Sequence, residues 1–213
     1  PVLPRPKADV LLKTHPEFKV DGSKHNESFL YSVLKNNDLL NEYKEKLNYK
    51  GNILDLLCKR YLANKKQDTY FIKNAAILLF SKDPEKYIPS ASVRYIRYDG
   101  VEARTGVDLN IVKDERFENN IPNLINELRI FLKTSFRDYH FLDISDGKFK
   151  KVPEYPEEAW LEGVVNALCH RSYNIQGNAI YIKHFDNRLE ISNSGPLPAQ
   201  VNIENIKNIL SKL

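Results

Sequence analysis

Between Tyr155 and Tyr173 the chain reads Tyr-Pro-Glu-Glu-Ala-Trp-Leu-Glu-Gly-Val-Val-Asn-Ala-Leu-Cys-His-Arg-Ser-Tyr. Trp160, Leu161, Val164, Val165 and Leu168 recur at helical spacing, so the stretch must bury one side of a helix. Glu158, Glu162, Asn166 and His170 recur every fourth residue and, at about 100° per residue, share another face. Ala159, Gly163 and Ala167 run beside them, so something can approach the backbone closely there. A helix that only packs places long solvated charges opposite its core. This one sets a carboxylate, a carboxamide and an imidazole in line beside small residues, which suits a metal or phosphate site. Pro156 followed by Glu157 and Glu158 is a good helix opening, with acids at the positive end of the dipole.

The segments around this helix set the fold class. Ala179–Phe185 and Arg188–Ser192 alternate as strands about a turn at Asp186-Asn187, which makes a hairpin. Val93–Tyr98 is a strand ending at Asp99-Gly100. Apolar residues from Phe117 to Leu132 have the spacing of an amphipathic helix over Phe117–Lys133, and Phe141–Lys151 reads as strand around Asp146-Gly147. Earlier, Glu27–Leu40 and Ile53–Leu62 show helical spacing, and Tyr70–Phe80 reads as the last helix of a small helical or winged-helix unit. Residues 1–25, with Pro1, Pro4, Pro6 and Pro16, read as a linker. The expected division is 1–70 as linker and small helical segment, and 71–213 as an α/β (α+β) domain with strands layered on helices.

With 213 residues the chain has enough length for a sizeable core. It holds no methionine, even at position 1, and Asn205–Leu213 resembles a helix cut short, so the expectation is a fragment whose last domain is incomplete. Cys58 and Cys169 differ in context, which points to a reduced cytoplasmic protein rather than a disulfide framework. No run approaches the ~18 apolar residues of a membrane span, and no secretory leader is visible. A net charge of +4 is mildly basic, and solvated lysines explain the small clusters Lys59-Arg60, Lys65-Lys66 and Lys148/Lys150-Lys151. His15, His25, His140, His170 and His184 form no i,i+3 or i,i+4 pair and have no Cys-x-x-Cys partner, which argues against zinc. His170-Arg171-Ser172 lacks the aspartate of the kinase catalytic loop, and neither a P-loop nor a Gly-x-Ser-x-Gly pattern occurs.

Glu162-Gly-Val-Val-Asn166-Ala-Leu-Cys-His170-Arg-Ser-Tyr173 resembles the motif E-x-x-x-N-A-x-x-H-R-x-Y. That motif marks the C-terminal region of bacterial transcriptional regulators often labelled RecG-like helicase-related proteins, whose N-terminal module is a divergent AAA-type, AlbA- or Schlafen-like domain. Asn74–Tyr87, Val152–Ala159 and Phe185–Pro198 match further blocks of that family in order, so the resemblance covers roughly residues 70–213. It implies a two-layer sandwich like the ATP-binding fold of gyrase, heat-shock chaperones and histidine kinases, truncated here at its C-terminus. In that fold Glu162 would orient or deprotonate a water, Asn166 would hold Mg²⁺ against a triphosphate, and His170 and Arg171 would meet phosphate oxygens. Mg²⁺ prefers oxygen ligands and keeps several waters, so one carboxamide oxygen plus phosphates is sufficient ligation. The family fold follows with D-x-G-x-G, whose Asp binds the adenine amino group. Here Asn193 replaces that Asp and, of the glycines, only Gly195 remains.

The implied function is a transcriptional regulator with an ATP-binding domain acting as a nucleotide-dependent switch, a weak ATPase activity included, with ATP and Mg²⁺ as ligands. Homo-oligomerisation and DNA, contacted through N-terminal or missing regions, complete the expected partners, with no membrane. Two alternatives stand beside it. One is a non-catalytic interaction or dimerisation module with a degenerate site. The other is a direct DNA-binding module, which requires Arg94, Arg97, Arg104 and Lys148 to form one continuous patch. Helicase activity is not expected, because no P-loop motor motif is present.

Overall fold

A computed structural model describes residues 38–66, 69–173 and 179–195. Helix α1 spans Asp38–Lys46, where Leu40 is buried; residues 27–37 of the helical spacing expected there lie outside the described residues. Helix α2 spans Ile53–Lys59, and the Asn52 side chain caps it by accepting from the Asp55 amide at 2.8 Å. Tyr61, at φ 58°, reverses the chain into strand β1, Ala63–Lys66, which pairs antiparallel with β2, Thr69–Ile72. The helix expected over Tyr70–Phe80 therefore begins later. Thr-Tyr-Phe-Ile is β-branched and aromatic, and it pairs with β1, so α3 covers only Asn74–Phe80 and is buried along its whole length.

Strand β3 spans Ser92–Tyr98, close to expectation. It pairs antiparallel with β4, Ile111–Glu118, and in parallel with β7, Ile180–His184; β7 pairs antiparallel with β8, Leu189–Ser192. The sheet order is β4-β3-β7-β8. The expected Asp186-Asn187 turn closes the β7–β8 hairpin, with the Phe185 amide donating to the Arg188 carbonyl at 2.9 Å. The helix expected from Phe117 instead starts at Ile121 and runs to Ser135 as α4. Phe117 has helical spacing to Ile121, but it stands opposite Val93 in the sheet. Asn120 then caps α4 by accepting from the Asn123 amide, and Pro122 sits in the first turn.

A parallel β3–β7 pair needs a long crossover. Here it holds α4, a hairpin of β5 (Asp138–Asp143) and β6 (Lys148–Pro153), and α5 (Glu157–His170). The single strand expected around Asp146-Gly147 is thus two strands, with Gly147 at φ 67° in the turn between them. Helices α4 and α5 lie on one face of the sheet. Leu124, Leu128, Leu132, Trp160, Val164 and Leu168 meet Val93, Tyr95, Ile180 and Ile182 there, and Leu40, Leu57 and Leu62 belong to the same core cluster. The other face carries Arg94, Asp114, Arg116 and Lys183, placed there by strand register. This is an α+β architecture. No helix among the described residues is long and apolar enough to cross a membrane.

Candidate functional site

Helix α5 is fixed at its start by Glu157, which accepts from Arg129 Nε at 2.6 Å and Lys133 Nζ at 3.2 Å on α4. Arg129 first, then Lys133, holds the Glu157 carboxyl below the usual carboxylate range. Trp160, Val164, Ala167, Leu168 and Cys169 are buried. At Gly163 the side of small residues is filled by the protein itself, whereas Ala159 stays exposed. A Cβ on Gly163 would lie 2.9 Å from Ile191 Cδ1, so what approaches the helix backbone there is strand β8.

The loop after β8 then docks on the last turn of α5. Asn193 Nδ2 donates to the Ala167 carbonyl at 2.9 Å, one of the helix-end carbonyls left without an intrahelical partner. The Ser172 amide donates to the Ser194 carbonyl at 2.8 Å. A Cβ on Gly195 would stand 2.2 Å from the His170 carbonyl oxygen, so only glycine permits this approach. Asn193 and Gly195 are therefore brought against the segment that carries Asn166, His170 and Arg171.

Glu162 and His170 are exposed and Asn166 is half-buried. Glu162 stands one turn, or about 6 Å along the axis, before Asn166. Among the described residues, neither the Asn166 carboxamide nor the His170 imidazole has a hydrogen-bond partner. Arg171 behaves differently from expectation. At 0% exposure it faces inward, with its guanidinium 5.6 Å from the Tyr173 ring centroid. Burial pulls its pKa down, opposed by Tyr173 and Tyr181. The reason is local: Arg171 leaves the helix in extended conformation, which turns its side chain toward the core. Tyr173, also buried, donates from its hydroxyl to the Leu168 carbonyl at 2.9 Å, and its carbonyl accepts from Ser90 Oγ at 3.0 Å. Asn166, His170, Asn193 and Gly195 thus gather at one end of α5, Glu162 lies one turn along, and Arg171 is buried over Tyr173.

The four basic residues required for a nucleic-acid patch do not share one surface. Arg94 and Arg97 leave β3 on opposite faces. Arg94 is paired with Asp114, and Arg97 with Asp186, while Lys148 lies on the β5–β6 hairpin.

One buried polar cluster was not singled out from the sequence. His184 Nδ1 lies 2.8 Å from Tyr95 Oη, and its Nε2 lies 3.2 Å from Glu154 Oε1. Glu154 Oε2 accepts from the Arg137 amide at 2.9 Å, so it closes the base of the β5–β6 hairpin. Phe136 and Tyr155 flank the imidazole, with ring centroids 5.2 and 5.9 Å away. Burial lowers the His184 pKa and Glu154 opposes it, while burial pushes the Tyr95 hydroxyl up to about 12. The signal was present: alternation along Ala179–Phe185 puts His184 on the side of Ile180 and Ile182.

No protein-family model matches this chain, and no curated protein matches it. A solved structure of the DIP2311 protein from Corynebacterium diphtheriae is similar, with a TM-score of 0.59 and 15% identity over 94% of this chain. This chain spans 38% of the length of that one. At that identity the likeness concerns the fold alone.

Proposed function

We propose that the end of α5 and the loop after β8 form a nucleotide site like that of the gyrase and histidine-kinase ATPases, used as a switch within a transcriptional regulator. The observation that carries this reading is Asn166. It is a half-buried carboxamide with no hydrogen-bond partner among the described residues, one turn from an exposed carboxylate and beside a docked loop. The carboxamide is thus committed to no described residue and is open to a ligand in place of solvent. Two helices over a four-stranded sheet are compatible with the two-layer ATPase sandwich. Its donor set fits Mg²⁺ held mainly by phosphates, with Asn166 Oδ1 as the protein ligand. Mg²⁺-ATP would supply the labile phosphoanhydride. Glu162 would orient or deprotonate a water, His170 would meet phosphate oxygens, and the Asn193 carboxamide oxygen would accept from adenine while its nitrogen stays on Ala167.

Calorimetric titration of Mg²⁺-ATP into the full-length protein, with Asn166→Ala alongside, tests the reading. Saturable heat in the wild type that disappears in a variant of unchanged melting temperature is the expected result. A folded wild type that takes up no nucleotide, or a variant that binds as well as it does, overturns it. The second reading, a non-catalytic module, draws on a specific observation: Arg171 is buried and Asn193 already holds a helix carbonyl, so two of the expected ligand contacts have structural roles.

A further inference from the structure

Among the described residues, hairpin β5–β6 has no sheet neighbour, since its two strands make a sheet of their own. It exposes Tyr139 (53%), Phe141 (47%), Leu142 (49%), Ile144 (92%), Phe149 (81%) and Val152 (46%). A lone two-stranded hairpin is marginal in water, and scattered large apolar groups rarely crowd onto so short a segment without a function. The register sorts them. Leu142 stands opposite Phe149 and His140 opposite Lys151, so one face holds an apolar pair near the tip, beside Ile144, and the Asp138–Lys151 ion pair near the base. The other face reverses this order, with Tyr139, Phe141 and Val152 near the base and the Lys150–Asp143 pair toward the tip.

Charge selects the occupant. The hairpin carries Asp138, Asp143 and Asp146 against Lys148, Lys150 and Lys151, so it is neutral with His140 uncharged. A neutral ribbon gives no attraction to nucleic acid, whose affinity comes from unneutralised lysines and arginines. It fits itself instead, because β5 carries only acids and β6 only lysines. Two-fold pairing edge to edge would set Asp near Asp along β5, or Lys near Lys along β6, which is unfavourable. Face-to-face packing about an axis along the strands sets β5 of one copy over β6 of the other. It brings both apolar tips together and lays Asp138 over the Lys151 end of the second copy. Leu142, Ile144 and Phe149 with their neighbours would bury roughly 500 Å² per copy, near the ~1,000 Å² total at which specific interfaces begin.

We infer that the β5–β6 hairpin is a homodimerisation arm whose Leu142–Phe149 face packs on the same face of a second copy. This holds whether or not α5 binds nucleotide. Light scattering on the whole protein across a dilution series, beside Ile144→Ser/Phe149→Ser, tests it. The dimer mass should fall twofold in the double variant, with circular dichroism and melting temperature retained. A wild type that stays monomeric at every concentration overturns the inference, whether the arm is then covered by another part of the chain or by nothing. A variant that remains dimeric overturns it as well. Should the double variant not fold, Ile144→Ser alone, at the most exposed of these positions, decides by weakening the dimer or leaving it intact. Amide exchange gives a second readout: β5 and β6 should be more protected in the dimer than on dilution, and equal protection counts against the arm.

Discussion

The junction at the end of α5 and the β5–β6 arm are both held by polar contacts, but of opposite kinds. At the junction three close approaches involve the main chain: Asn193 to the Ala167 carbonyl, Ser172 to Ser194, and Gly195 against the His170 carbonyl. In the arm, beyond the ladder itself, the ties are surface ion pairs such as Lys150–Asp143 and Lys151–Asp138. Main-chain atoms cannot move without moving a whole element, whereas lysine tails exchange partners freely and contribute little, about 0–1 kcal/mol each. The junction should therefore punish small substitutions and the arm should absorb large ones.

The sharpest break of that contrast is Gly195→Ala. A Cβ 2.2 Å from a backbone oxygen cannot be accommodated by a rotamer, so the loop must leave the helix end. The expected loss is about 3 kcal/mol by denaturant unfolding, the range of forced overpacking. A loss below about 0.5 kcal/mol, the range of ordinary surface changes, means the loop is not docked in solution. Gly163→Ala is the control. Its new Cβ meets only the terminal methyl of Ile191, which can turn aside, and alanine favours the helix by up to ~1 kcal/mol, so the net change should be near zero.

Acid should test the link between sheet and arm. Burial sets the folded-state pKa of His184 below its unfolded value, so the unfolded chain takes up the proton first. The stability from neutral His184 is present above about pH 6.5 and is lost as pH falls through the folded-state pKa. Glu154 opposes the shift, so Glu154→Gln lowers the pKa further and steepens the loss, read as melting temperature against pH. A variant with the same slope as wild type shows that Glu154 does not face the imidazole in solution. Of intermediate size, Asn193→Ala removes a bond to a helix-end carbonyl and should cost ~1 kcal/mol.

Local patterns that act within one element were legible. The α5 periodicity, the Asp186-Asn187 hairpin and the Val93–Tyr98 strand all follow from spacing over a few residues. What went astray depended on a distant partner. Phe117 continues the helical spacing of α4, yet pairing with Val93 makes it strand, and Tyr70–Ile72 joins β1 rather than α3. The site shows the same divide. The shared face of Glu162, Asn166 and His170 could be read from the chain, and so could the small-residue side. That Ile191 covers Gly163 on this side, and that Arg171 turns inward, depends on where the β7–β8 hairpin lands.

The smallest expected effect lies in the arm, at Lys150→Ala. Lys150 pairs with Asp143 and lies 3.5 Å from Asp146, with its side chain 46% exposed. Solvent screens such a pair, so its removal should change the stability of the body by less than about 0.5 kcal/mol, and added salt should erase even that. Unfolding of wild type and variant at low and high salt measures it. A salt-independent loss as large as that of Asn193→Ala would mean that the arm and the body unfold as one unit. The arm would then be an integral wall of the fold, and the contrast between the two regions would collapse. A near-zero change leaves the arm free to spend its apolar face on a partner.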